Sequence, residues 1–134
     1  MKPITLIITA GTAPAVITEM IYVIHKEQLG HIKEIKVITT AKGQQEALEK
    51  LLSFDLASGS FGAYYTLVSE LGLSPGDIPF SKESFYVPVN LLGEPLTDIR
   101  TREDDLLFAS LTNKLVREAT ANPETLVIAC QAGG

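Results

Sequence analysis

Ile4-Thr5-Leu6-Ile7-Ile8-Thr9-Ala10-Gly11-Thr12-Ala13-Pro14 decides how the rest of the chain is read. Six apolar or β-branched residues, a turn of small residues and then the run from Ala15 to Lys26 are the pattern of a central parallel strand feeding a crossover helix. Pro14 fits the first turn of that helix, where a missing N–H costs nothing. The turn therefore falls at the carboxyl edge of a sheet. That edge is where open α/β sheets bind ligands, because helix N–H groups and the helix dipole favour an anion there.

The first helix carries Val16, Ile17, Met20, Ile21, Val23 and Ile24, more apolar circumference than one sheet face can cover. A second cover is expected, and a two-fold homodimer would supply it. Gly30 is expected to end the helix as a C′ glycine. Residues 34–40 (EIKVITT) read as the second strand, and the turn from Thr39 to Gly43 as a second set of donors at the same edge. A second helix is expected over residues 44–56, broken by Ser58-Gly59-Ser60, and a third around Tyr64, Leu67, Val68 and Leu71, stopped by Gly72. Residues 83–89 (ESFYVPV) form the third strand, with Pro88 marking an end or an edge. Residues 90–102 read as a short hairpin or a loop over the sheet edge, and they hold two of the three arginines. Thr101 and Asp104 resemble a capping box that opens a fourth helix ended by Asn122-Pro123. Residues 125–130 (TLVIAC) are the fourth strand, followed by the turn Gln131-Ala132-Gly133-Gly134. Such a turn normally introduces a helix, so the natural protein is expected to be longer. The expected architecture is a single α/β domain over residues 1–134, a Rossmann-like, doubly wound, mainly parallel sheet with strand order 3-2-1-4.

Composition narrows the function classes. Apolar residues make up 46% and charged residues 20%, as in a compact domain. No apolar run approaches the roughly 20 residues of a membrane span, and no signal peptide is recognisable, so a cytoplasmic protein is expected. Cys130 is alone and reads as a buried, inert strand residue. A net charge of −5, from 11 basic and 16 acidic residues without a basic block, argues against coating duplex nucleic acid. A small anion needs only a helix N-terminus and a few placed cations. Neither G-x-G-x-x-G nor the P-loop pattern occurs, which disfavours an ordinary dinucleotide-binding domain or nucleotide triphosphatase. His25 and His31 read as helix-end or surface residues, and Asp98, Glu103, Asp104 and Asp105 as helix N-terminal charges. No cofactor and no metal are expected.

Four patches in order, ITLIITAGTAPAVITEM, KVITTAKG, PLTDIRTREDD and LVIACQAGG, resemble the CRISPR-associated Rossmann-fold (CARF) proteins, and most of all the ring-nuclease type that begins G-[TL]-S-P-x-V-x-T-E. The resemblance implies antiviral defence by recognition of a cyclic oligoadenylate, cyclic tetra-adenylate being favoured, across the two-fold axis of a homodimer. It further implies either transmission of that signal to an attached effector nuclease, or metal-independent cleavage in which a ribose 2′-OH attacks the phosphate and leaves a 2′,3′-cyclic phosphate. On the matching positions Gly11, Thr12 and Ala13 would face a phosphate, Thr40 and Lys42 would border the adenosine pocket, Arg100 would reach over the ligand as a catalytic residue together with position 13, and Thr9, Arg102, Gly133 and Gly134 would also bind the ligand. Where the pattern has Ser, this chain has Ala13, so a hydroxyl expected beside the scissile phosphate is missing. Three readings follow: a ring nuclease or its altered form, a sensor module without catalysis, and an unrelated dinucleotide-binding domain.

Overall fold

A computed structural model describes residues 2–131. At its centre β1 (Ile4–Thr9) pairs in parallel with β2 (Ile32–Ile38) on one side and with β6 (Leu126–Gln131) on the other. The short strand β5 (Phe85–Tyr86) adds in parallel to β2, so the order β5-β2-β1-β6 is the expected 3-2-1-4. Three crossover connections, which together carry four α-helices, and a parallel sheet make this a Rossmann-like α/β domain.

Alternation along β1 divides the core between the two faces of the sheet. Leu6 and Ile8 pack with Ile35 and Val37 under α1 (Ala15–Lys26), α2 (Ala41–Leu51) and α3 (Ala63–Glu70). Ile7 and Ile38 face the other way, onto Leu115, Phe108 and Leu111 of α4 (Arg102–Thr120). Three helices thus cover one face and one helix the other. Ile4, Leu6, Ile7 and Ile8 are each at most 1% exposed, which is why the opening stretch tolerates no polar residue except at its alternate threonines. Burying each such side chain contributes about 1.5–3 kcal/mol.

Several boundaries move, each for a physical reason. Gly30 is not the helix C-cap: Gln28 takes the left-handed conformation (φ 53°), and the Leu29 N–H closes the turn on the Ile24 carbonyl at 3.1 Å. Gly30 is needed because a Cβ there would lie 2.9 Å from the Lys2 carbonyl oxygen. The second strand ends at Ile38, because Thr40 is the N-cap of α2 and its hydroxyl accepts from the Gly43 N–H at 3.1 Å. The second helix stops at Leu51, well short of residue 56. Beyond it, β3 (Phe54–Asp55) and β4 (Ser60–Phe61) form an antiparallel hairpin, its turn held by the Asp55 carboxylate accepting from Ala57 N–H (3.0 Å) and Ser58 Oγ (2.8 Å), with Gly59 at φ 69°. Those two bonds hold the Asp55 carboxyl below its ordinary pKa.

The third strand is cut to two residues by a 3₁₀ turn over Lys82–Ser84 on one side and by Pro88, which has no N–H to give a ladder, on the other. Val89 then bridges Pro95, and Asn90 N–H reaches the Glu94 carbonyl at 2.8 Å, so residues 89–95 are a tight hairpin. At its tip Leu91 and Leu92 are 86% and 83% exposed. Cys130, expected to be buried, is only half-buried, because β6 is an edge strand among the described residues.

Candidate functional site at the carboxyl edge

The register aligns Thr9 with Ile38 on one side and Gln131 on the other, so the three long strands end together. Two βα turns meet there. The Thr39 hydroxyl donates to the Gly11 carbonyl at 3.4 Å, and Gly43, in the first turn of α2, is packed against that same carbonyl and against Thr39. Thr39 and Thr40 are 1% and 5% exposed. Gly11, Thr12 and Ala13 are exposed.

The two helix N-termini differ in what their donors do. At α2 they are spent inside the protein: Ala41 N–H donates to the Leu96 carbonyl at 2.8 Å, Lys42 N–H to the Thr97 carbonyl at 3.3 Å, and Gly43 N–H to the Thr40 hydroxyl. The expected second set of donors is therefore closed by the segment that follows the hairpin. At α1, Ile17 N–H turns back to Pro14, while the N–H groups of Gly11, Thr12, Ala13, Ala15 and Val16 have no partner among the described residues. The donors that can receive an anion are the ones in the opening stretch.

Lys42, on the first turn of α2, is exposed. Arg100 and Arg102 are exposed just before and at the start of α4. The capping box there is complete: the Thr101 hydroxyl accepts from Asp104 N–H at 3.0 Å, and the Asp104 carboxylate accepts from the backbone N–H of Arg100 (3.1 Å) and Thr101 (3.2 Å). Asp104 is thereby committed to the backbone. Among the described residues the two ion pairs are Lys36–Glu34 and Lys50–Glu46, and neither involves Lys42, Arg100 or Arg102. Lys42, Arg100 and Arg102 thus stand exposed and without an acidic partner among the described residues. Gly133 and Gly134 lie outside the described residues.

A groove of about 420 Å³ runs between α4 and the sheet at the same edge, bordered by Ile7, Thr9, Phe108, Asn113, Cys130 and Gln131. Thr9 Oγ1 is buried and has no hydrogen-bond partner among the described residues. An orphaned buried hydroxyl costs about 1–3 kcal/mol; Thr125 Oγ1, just before β6, is orphaned in the same way. The groove was missed in the sequence, because it depends on α4 lying alone on its face of the sheet. His25 and His31 are remote from it, at the amino edge, where they border a separate cavity of about 330 Å³ with Asp77. Among the described residues no three His, Cys, Asp or Glu side chains are grouped to hold a metal ion.

The family model for CRISPR-associated protein NE0113 matches residues 13–134. The chain belongs to that family. The match starts at Ala13 and so includes α1, β2, β5, β6 and the arginine-bearing entry to α4, while β1, Gly11 and Thr12 precede it. No curated protein and no solved structure matches the chain significantly.

Proposed function

We propose that this CRISPR-associated protein binds a cyclic oligoadenylate at the carboxyl edge of its sheet, with a phosphate at the Gly11–Ala13 turn. The observation that carries the reading is the set of N–H groups that precede and begin α1 without a partner among the described residues; Lys42, Arg100 and Arg102, exposed and without an acidic partner among the described residues, are the cations proposed to join them. A guanidinium donates in a planar fork and stays charged, which suits phosphate oxygens. The resemblance to CARF proteins supplies the ligand class, and membership of a CRISPR-associated family is compatible with it.

The ring-opening reaction asks for positioning and electrostatics rather than a protein nucleophile: a ribose 2′-OH held in line with phosphorus, and donors on the phosphate oxygens. Arg100 would take the second role. Ala13 offers a backbone N–H but no hydroxyl, which favours a ligand-binding protein that opens the ring slowly. A homodimer would place two such edges around one ring, and the apolar residues left on α1, Tyr22 and Val23 at 42% and 44% exposed, are the surface proposed for it.

The test is titration with labelled cyclic tetra-adenylate, reading binding and ring opening separately. Arg100→Ala should weaken binding by about 1.5–3 kcal/mol, the scale of a charge-assisted hydrogen bond, with little change in stability. Unchanged binding by both Arg100→Ala and Arg102→Ala would sink the reading.

A further inference from the structure

We propose that the groove between the β3–β4 hairpin and α3 is a docking site for an arginine side chain carried on a basic segment of a partner protein. The groove, of about 550 Å³, shares no residue with the carboxyl-edge site, and the inference is independent of the ligand proposed there.

Local sequence builds its walls. Helix α3 turns Tyr64, Leu67 and Val68 into the core, which leaves Tyr65 and Glu70 on its outer side. Beside it the hairpin pairs Phe54 with Phe61 across the strands, so the two rings share a face. The rings of Phe54, Phe61 and Tyr65 form a triangle with centroids 5.2, 6.0 and 6.3 Å apart. Tyr65 is backed by the ring of Tyr64, whose hydroxyl is fixed on the carbonyls of Pro75 and Ile78, and Pro75 forms a further wall. The base of the hairpin is tied by Gly62 N–H donating to the Ser53 carbonyl at 2.9 Å. The walls are thus ordered before a partner arrives, which lowers the cost of binding.

The chemistry of the groove selects the occupant. Phe54 and Phe61 are 56% and 47% exposed, although the hairpin turn is held by Asp55 and not by them. A cluster of exposed rings marks an interaction surface. Glu70 is the charged residue at its border, and it has no cationic partner among the described residues. Ring faces and a carboxylate both attract a cation and repel an anion. Arginine suits them better than lysine, because its planar guanidinium stacks on a ring and forks to a carboxylate while its methylene stem covers apolar wall. An adjoining groove between α1 and α3 shares Glu70 and adds Glu19, again with no basic residue at its border among the described residues. The acidic sign therefore continues past the rings, as a segment with more than one basic residue requires.

Titrating the ¹⁵N-labelled chain with the capped peptide Gly-Arg-Gly-Arg-Gly, and with the same peptide carrying the uncharged isostere citrulline, tests the site. Backbone resonances of residues 54, 61 and 65–70 should shift with the arginine peptide and much less with citrulline. Phe61→Leu and Glu70→Gln should each weaken the response about two- to five-fold, the scale of an exposed cation–ring contact and of an exposed ion pair. Glu70 lies on the helix surface, so Glu70→Gln leaves the fold intact. An equal response to citrulline, no shifts in the groove, or unaltered responses in both variants would overturn the proposal. So would self-association of the chain that Phe61→Leu abolishes, which would give the groove to a second copy.

Discussion

Gly43 faces the carbonyl oxygen of Gly11 so closely that a Cβ on Gly43 would lie 2.7 Å from it. Two βα turns are locked together at this point, and the same Gly11 carbonyl also receives the Thr39 hydroxyl. Replacing Gly43 by Ala gains about 1 kcal/mol of helix propensity, while overpacking at a rigid backbone contact costs about 1–3 kcal/mol. The contact wins, since backbone and a buried threonine cannot swing aside. Gly43→Ala should lower the urea midpoint and impair anion binding together; a variant as stable as the parent would show that the turns can separate freely.

The missing hydroxyl at Ala13 predicts a gain of function. A single placed donor is commonly worth about 10²–10³ in rate, and a tenfold step corresponds to about 1.4 kcal/mol of barrier. Ala13→Ser should therefore raise single-turnover opening of cyclic tetra-adenylate at least tenfold while leaving its affinity nearly unchanged. Fast opening by the parent chain, indifferent to the substitution, would put the reacting groups elsewhere.

Thr9→Val separates stability from binding. The valine keeps the shape of the side chain and removes a buried oxygen with no partner, so thermal stability without ligand should rise, by about 1 kcal/mol. Calorimetric unfolding checks it. A loss of stability would mean that the hydroxyl is satisfied within the fold.

Tyr64 ties α3 to the turn that follows it, donating to the carbonyls of Pro75 and Ile78. Burial, and then the neighbouring Tyr65 and Asp77, push its pKa above the ordinary tyrosine value of 10.0. A raised folded pKa favours the protonated form, so this contribution is complete below about pH 10, the unfolded value, and is lost as pH rises through the folded one. Tyr64→Phe should cost about 1–2 kcal/mol at neutral pH. The difference between parent and variant should shrink in alkaline urea titrations, and a gap that stays constant to high pH would contradict the assignment.

How much of this was legible in the sequence depended on whether the signal was local. The switch from alternating burial in β1 to three- and four-residue spacing in α1 lies in adjacent residues, and the Thr101–Asp104 box is four residues long; both were readable. Helix α2 was misjudged at both ends because the deciding contacts are distant. Gly43 looks like a turn glycine until Gly11 is seen against it, and Leu52 and Leu56 continue the helical spacing until Phe54 is paired with Phe61, their rings 5.2 Å apart. The cations near the edge were readable as candidates. The closing of the α2 donors by Leu96 and Thr97, more than fifty residues away, was not.

The two flanks of the sheet have unequal capacity to grow. On one flank β5 offers two residues before Pro88 removes a donor, too little backbone to template another strand. On the other flank β6 offers six residues whose outer hydrogen-bonding groups are unpaired among the described residues, with Leu126 42% exposed. Among the described residues, extension of this sheet is therefore directional. The flank with backbone free, among the described residues, to pair with a further strand is β6, and a charge or proline placed on it would hinder that pairing, whereas β5 has little backbone to protect.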